Sequence, residues 1–219
     1  MTTALERIER TTQALKVFPL PSAVLLPHAV LPLHIFEPRY RALVRDALAG
    51  DKVMALAQLE PGWEGQYGER PPLQPMMCAG LIIWHEELPD GRYNILLQGV
   101  CRARMLAELP PDKPYREVRV HPLPDPVYQG PEEERLRQAV LDLAGRVPVS
   151  FAENLLPLAA RSQGGMLADV VAAAIVPEPE RRQELLCELD VRTRLLEVVD
   201  EVAELVARLS PVKPTGPLN

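Results

Sequence analysis

Four serines (Ser22, Ser150, Ser162, Ser210), four histidines (His28, His34, His85, His121), three cysteines (Cys78, Cys101, Cys187) and four lysines (Lys16, Lys52, Lys113, Lys213) are the chain's main resources for nucleophilic or metal chemistry. A serine nucleophile needs a base within hydrogen-bond reach, and no serine stands in a Gly-x-Ser-x-Gly elbow. Spacing alone leaves a Ser–Lys dyad open, but each serine has a simpler role. Ser22 lies in a proline-rich turn, Ser150 with Glu153 reads as a capping box, and Ser162 and Ser210 fall in breaks between helices. The histidines form no His-x-x-x-His pair, and His85-Glu86-Glu87 reads as a solvated strand end, so no metal set is expected. The cysteines are isolated and flanked by apolar residues, which suits buried free thiols in a reducing cytosol. No glycine precedes a lysine, so the phosphate cradle of an ATPase is missing. Neither catalytic residues nor a cofactor are expected.

Binding is the chemistry that remains. The segment from 60 to 77 is rich in Gly and Pro and carries Trp63, Tyr67, Met76 and Met77. Aromatics and methionines on a loop suit adaptable recognition of apolar peptide segments, and these four are the candidate binding residues. The alternative is that they cover a barrel. Nucleic acid is not an expected partner. The net charge is −6, with no basic stripe to meet phosphates. Residues 1–130 hold 15 acidic and 14 basic side chains, and residues 131–219 hold 15 and 10. The polar first 16 residues lack the apolar core of a signal peptide, and no apolar run approaches the roughly 18 to 20 residues of a membrane span. A cytoplasmic protein is expected.

Two rhythms organise the chain. From 17 to 126 it reads as strands and turns with one helix. Val17 to Tyr40 is strongly apolar yet holds Pro19, Pro21, Pro27, Pro32 and Pro38. Proline removes a backbone donor and holds its predecessor extended, so this stretch should form buried extended pieces at sheet edges or bulges. Pro38 suits a first helical position, Tyr40, Leu43, Val44, Ala47 and Leu48 follow on one face, and Gly50 stands at the expected C-cap. Lys52 to Leu59 reads as a buried strand. Ala79 to Glu87, a turn at Pro89-Asp90-Gly91 and Arg92 to Leu97 form a hairpin, with Gly99 marking a bulge before Val100 to Glu108. Tyr115 to His121 alternates as a half-exposed strand. Short antiparallel strands with one helix suggest a curled sheet or partly open barrel.

Pro122 to Pro126 breaks this rhythm, and residues 127–210 read as helices. Pro131 and Glu132 to Glu134 open the first. Ser150 and Glu153 open a second that Pro157 limits, and Gly164-Gly165 precedes a third, Met166 to Ile175. The last carries Val191, Leu195, Val198, Val202, Leu205 and Leu209 at steps of 4, 3, 4, 3, 4, with Asp190 as N-cap. This seam packs on the chain's own helices or joins two copies, so a monomer or weak dimer is expected. Residues 1–16 and 211–219 are expected to be flexible ends. The fold class is α+β.

Pro32-Leu-His-Ile-Phe-Glu-Pro-Arg-Tyr40 resembles the opening signature of the Lon protease N-terminal (substrate-binding) domain family. Leu88 to Tyr93 with Gly99-Val-Cys-Arg-Ala-Arg104 resembles its second block, and Gln183 to Leu186 through Asp190 and Arg194 its closing helical block. The resemblance runs from about Val17 to Leu209. It implies a PUA-like pseudo-barrel followed by a helical bundle ending in a long helix. It marks Pro32, Phe36, Glu37, Pro38, Arg39, Tyr40, Asp90, Gly91, Gly99 and Arg102 as family residues with structural roles. The family's usual glycine near Met77 and basic residue near Leu81 are absent, and its lysine before Gln183 is Arg182 here. The chain looks like the free-standing bacterial members, without the ATPase and peptidase. The resemblance implies a non-catalytic module that recognises unfolded or tagged polypeptides, as an adaptor or chaperone-like holder, with a Lon-type protease as possible partner. The runner-up is a sensor of a small molecule or regulatory ligand held in the pseudo-barrel cleft. A hydrolase with an unrecognised site ranks third.

Overall fold

A computed structural model describes residues 2–66 and 70–209. Six strands form one sheet: β1 (Leu15–Leu20), β2 (Val30–Ile35), β3 (Val53–Gln58), β4 (Met76–Glu87), β5 (Tyr93–Glu108) and β6 (Arg116–Leu123). Their order is β2-β5-β4-β3-β1-β6, and a further β5–β6 pairing closes five of them into a ring. Closure works because β5 is 16 residues long. Its first half pairs with β2, its second half with β6, and β4 runs beside both. The result is the expected pseudo-barrel, mixed rather than antiparallel throughout: β1 and β3 run parallel, with Val17 opposite Ala55. Helix α2 (Pro38–Leu48) lies in the long crossover between these two strands, as a parallel pair requires.

Side-chain alternation fills the ring. Val17, Val53, Ala55, Ala57, Met77, Ala79, Cys101, Ala103, Val118 and Val120 belong to one buried cluster. The small alanines sit where strands crowd. All six residues of β3 are buried, because its other face also lies inside the fold. Helix α2 packs against β1 and β3 through Tyr40, Leu43, Val44 and Ala47, the face anticipated from periodicity. The hairpin turn has Gly91 at φ +77°, a conformation open to glycine. At Gly99 a Cβ would stand 2.3 Å from the Leu26 carbonyl oxygen. The register slips there as expected, with Ala79 opposite Cys101 and Gly80 opposite Gly99.

Four local expectations change. Residues 1–16, expected to fray, contain helix α1 (Ala4–Glu9), closed by a Thr3–Glu6 capping box and anchored by the buried Ile8; Leu15 already belongs to β1. Gly50 is not the left-handed residue after α2. Lys52 takes that role at φ +60°, and its N–H reaches the Ala47 carbonyl at 2.9 Å. Ser150 caps nothing, because α4 (Val149–Arg161) begins one residue earlier after Pro148. Cys187, expected to be buried, is exposed.

The helical segments divide between two compact units. Among the described residues, the strands, the residues up to Pro126 and Pro177–Leu189 form the first, and Val127–Val176 with 190–209 form the second; the end at 211–219 lies outside the described residues. Helix α6 (Pro179–Cys187) therefore belongs with the barrel, not with the helices on either side of it in sequence. Its anchor is Arg102, fully buried, whose Nε and Nη2 donate to the carbonyls of Leu186 and Leu185 at 3.0 and 3.1 Å. Gln183 adds a bond from Nε2 to the Met76 carbonyl at 2.9 Å.

The second unit comprises α3 (Pro131–Ala144), α4, α5 (Gly164–Ile175) and α7 (Val191–Leu209). Val191, Leu195, Val198 and Val202 are buried in it, facing α3 and α5, while Leu209 is exposed. The Thr193 amide donates to Asp190 Oδ1 at 2.7 Å, the N-cap bond read from sequence. Buried Asp169 and Arg194 form an ion pair at 3.3 Å. Glu132, at the start of α3, accepts from the Tyr128 hydroxyl at 2.6 Å and from Arg192 Nε at 2.7 Å. These bonds pull its carboxyl from 4.5 to about 2. A carboxyl whose pKa is lower in the folded state stabilises above the unfolded pKa and loses that contribution as pH falls. We expect the second unit to lose urea resistance between about pH 4.5 and 2, and Glu132→Gln to flatten that dependence, read as urea midpoints across the window.

Candidate functional site

Of the four residues singled out as binding candidates, the three that are described do not assemble into a surface. Met77 is fully buried in the barrel, and Met76, with about 6% exposure, is buried at the start of β4. Tyr67 lies outside the described residues. Trp63 opens a short 3-10 turn (Trp63–Gln66), where it is half-buried. It lines a groove of about 510 Å³ with Pro21, Leu59, Gln74, Gln183 and Cys187. Expecting the methionines at the surface was wrong because Met76 and Met77 begin a core strand instead of ending a loop.

The exposed apolar surface lies elsewhere in the first unit, on the outer face of β2, β5 and β4. Pro32, Leu96 and Trp84 stand opposite one another across the three strands. Val30 is 47% exposed, Trp84 48%, Ile83 50%, and Phe36, just past β2, 59%. A lone exposed leucine means little, but several large exposed apolar side chains on one sheet face make it the candidate interaction surface. Its local cause is a bulge. The β4–β5 register slips between Ile82 and Trp84, leaving Ile83 without a direct partner and two consecutive large apolar side chains in solvent.

A polar row borders the apolar one. His34 Nδ1 lies 2.7 Å from Asn94 Oδ1, and Asn94 Nδ2 donates to Glu86 Oε2 at 3.0 Å. Arg92 Nη1 lies 3.3 Å from His34 Nε2. One assignment satisfies both nitrogens: Nδ1–H donates to Asn94, and Nε2 accepts from Arg92. His34 also stacks on Phe36, with centroids 6.2 Å apart. The row therefore braces the aromatic edge.

The backbone of β2 also bears on how this face could bind. β2 is an edge strand. The Gly99 amide donates to the Ala29 carbonyl at 2.9 Å, so the alternation of an antiparallel ladder turns Leu31, Leu33 and Ile35 toward β5. Val30, Pro32 and His34 then point their backbone groups to the free edge, where Pro32 has no N–H to offer. A proline there discourages an incoming strand. Recognition on this face would fall to side chains.

Other family residues make contacts within the chain. Glu37 and Arg39 pair at 2.9 Å, Arg39 lies over the Tyr40 ring at 4.6 Å, and Tyr40 meets Phe18 edge-on at 4.4 Å. Asp90 Oδ1 accepts from the Arg92 amide at 3.1 Å within the turn closed by Gly91. Phe36, by contrast, leaves most of its ring in solvent. Among the described residues no group of three His, Cys, Asp or Glu side chains could hold a metal ion. Nor is any described helix long and apolar enough to cross a membrane.

A mixed sheet closed into a ring of five strands, together with helices, defines a β-barrel protein of the α+β class. The model of the ATP-dependent protease La (LON) substrate-binding domain matches residues 14–204, so the chain belongs to that family. It is similar to Lon protease 2 of Myxococcus xanthus, with 26% identity over 209 residues covering 90% of this chain and 25% of that one. It is also similar to the Lon protease of Roseiflexus castenholzii, with 31% identity over 197 residues covering 85% and 23%. The chain thus spans about a quarter of the length of these relatives. Among solved structures, a Lon N-terminal domain protein from Xanthomonas campestris matches with TM-score 0.64 and 25% identity, covering 86% of this chain and 98% of that one. The N-terminal domain of Mycobacterium avium complex Lon protease matches in fold with TM-score 0.68 and 18% identity, covering 88% and 99%.

Proposed function

We propose that the chain is a non-catalytic module that binds unfolded or tagged polypeptide through the outer face of β2, β5 and β4, serving as an adaptor or chaperone-like holder in the cytoplasm. The observation that carries this reading is the exposure of Val30, Phe36, Ile83 and Trp84 on or beside one antiparallel face, in a family described by substrate binding. Aromatic anchors give large contact area at low entropic cost, and a braced sheet presents them without reorganisation. A Lon-type protease is the proposed partner for handing substrates on. In titrations of a fluorescently labelled, reduced and alkylated polypeptide, Trp84→Ser combined with Phe36→Ser should weaken binding by about tenfold or more, the loss expected on removing two aromatic anchors. Both side chains are about half exposed, so the circular dichroism spectrum should not change. Equal affinity of the variant and the parent would overturn the assignment of this face.

A second reading has one observation in its favour. The groove beside Trp63, at about 510 Å³, falls within the range of small-molecule sites. A sensor would show a raised melting temperature with one compound class and no response to unfolded chains.

A further inference from the structure

On the first unit a second recess is lined by Arg39 and Tyr40 from the start of α2, Arg70 before Pro71, and Lys113, Tyr115 and Arg116 at the entry to β6. Among the described residues four cations line it and no carboxylate does, in a chain whose net charge is −6. The neutralising acids stand outside the lining. Glu37 holds Arg39 at 2.9 Å, Asp46 lies 3.7 Å from Lys113, and Glu108 pairs with Arg70 and Arg116. Counting all seven groups leaves one positive charge, concentrated where low-dielectric walls focus it.

The cations are held in place. Arg116 is buried, with Nε donating to Glu108 Oε1 at 2.8 Å and Nη1 to the Pro71 carbonyl at 2.6 Å. Tyr115 is fixed by its hydroxyl bond to Asp46 Oδ2 at 2.7 Å. Burial alone would raise the Glu108 carboxyl, but hydrogen bonds from Arg116 and Arg70 outweigh it and keep the group ionised. The other walls are apolar: Pro19, Leu59, Pro71 and Pro114. The recess measures about 80 Å³, far below a whole-ligand site of several hundred Å³, so it suits one chemical group.

We propose that this recess is an oxyanion subsite, with apolar walls beside fixed cations suited to the terminal carboxylate of a polypeptide whose last side chain is apolar. It rests on the reading that the ligand is a polypeptide, and it adds the part of the chain that is recognised. Free phosphate offers the same oxyanion chemistry and is the other source. The Nε and Nη2 edges of Arg39, Arg70 and Arg116 already meet Glu37 and Glu108, so the Lys113 point charge and the positive field of the fixed guanidinium groups are what would hold either anion.

The test follows backbone amide NMR shifts of Lys113, Tyr115 and Arg116 in three titrations of the whole chain: a short apolar peptide with a free C-terminal carboxylate, the same peptide amidated, and inorganic phosphate. The acid should bind at least tenfold more tightly than the amide, and Lys113→Met or Arg39→Gln, each at the partly exposed rim, should remove the difference. Saturable phosphate shifts at these amides, with acid and amide alike, support the oxyanion subsite with phosphate as its source. No saturable shift from the acid or phosphate overturns the proposal. The double change Trp84→Ser and Phe36→Ser keeps the two readings apart. It should weaken binding of the long unfolded chain by about tenfold or more while the acid–amide difference at the recess persists.

Discussion

Replacing Arg102 with methionine will destabilise the first unit by about 3–5 kcal/mol, the usual cost of breaking a buried charged network from one side. Its guanidinium donates to two carbonyls at the end of α6, and Nη1 lies 3.7 Å from Asp125. A methionine fills the stem but leaves the Leu185 and Leu186 carbonyls without these donors and Asp125 without its cation. Unsatisfied buried acceptors cost more than the lost bonds themselves contribute. Lysine should rescue only part of the loss, because a point charge cannot serve both carbonyls and the carboxylate as the planar fork does. Urea denaturation gives the global figure. Amide hydrogen exchange gives the local one, with protection of 183–187 falling before that of the barrel strands. An Arg102→Met protein with parental stability and unchanged exchange in α6 would show that this anchor is dispensable.

Asp169→Ala carries the second large effect, in the other unit. Arg194 is fully buried and its Nε lies 3.3 Å from Asp169 Oδ1. Removing the carboxylate leaves a guanidinium in a low-dielectric interior, again costing about 3–5 kcal/mol. The double change Asp169→Leu with Arg194→Met removes both charges and should recover most of that loss, since apolar pairs of similar volume replace buried ion pairs at little cost. A double variant no more stable than the single one would mean that the ion pair specifies packing beyond its charge balance. Because the chain forms two units, unfolding should be followed with probes in each, as one midpoint need not describe both.

Features governed by nearby residues were legible in the sequence. The helix after Pro38 followed from the spacing of Tyr40, Leu43, Val44 and Ala47, the hairpin from Asp90-Gly91, and the α7 seam from its heptad steps. The Thr3–Glu6 capping box was there to be read as well; Ser150–Glu153 matches the same pattern and caps nothing, because Pro148 starts that helix earlier. What failed was long-range. Nothing near α6 reveals that it joins the barrel, because its anchor, Arg102, lies 83 and 84 residues before the carbonyls it binds. The parallel β1–β3 pairing is likewise set by closure of the whole ring.

The site followed the same division. The loop composition gives no sign of the groove that Trp63 lines, nor of the core strand that holds Met76 and Met77, because composition alone does not show where a loop gives way to a strand. The run Ile82-Ile83-Trp84 did carry a signal. Three consecutive large apolar residues break the in–out alternation of a strand and point to a bulge or an exposed patch. The basic recess left no comparable trace, since Arg39, Arg70, Lys113 and Arg116 are scattered through a chain that is acidic overall.

The chain has two tryptophans, and they stand on the two competing surfaces: Trp84 on the outer sheet face and Trp63 in the groove. Single-tryptophan variants, Trp63→Phe and Trp84→Phe, let fluorescence report each surface separately as a tryptophan-free unfolded polypeptide is added. The account predicts that Trp84 emission shifts to the blue and becomes shielded from a soluble quencher, saturably, while Trp63 stays unchanged. A saturable response of Trp63 with none from Trp84 would contradict it and place recognition in the groove.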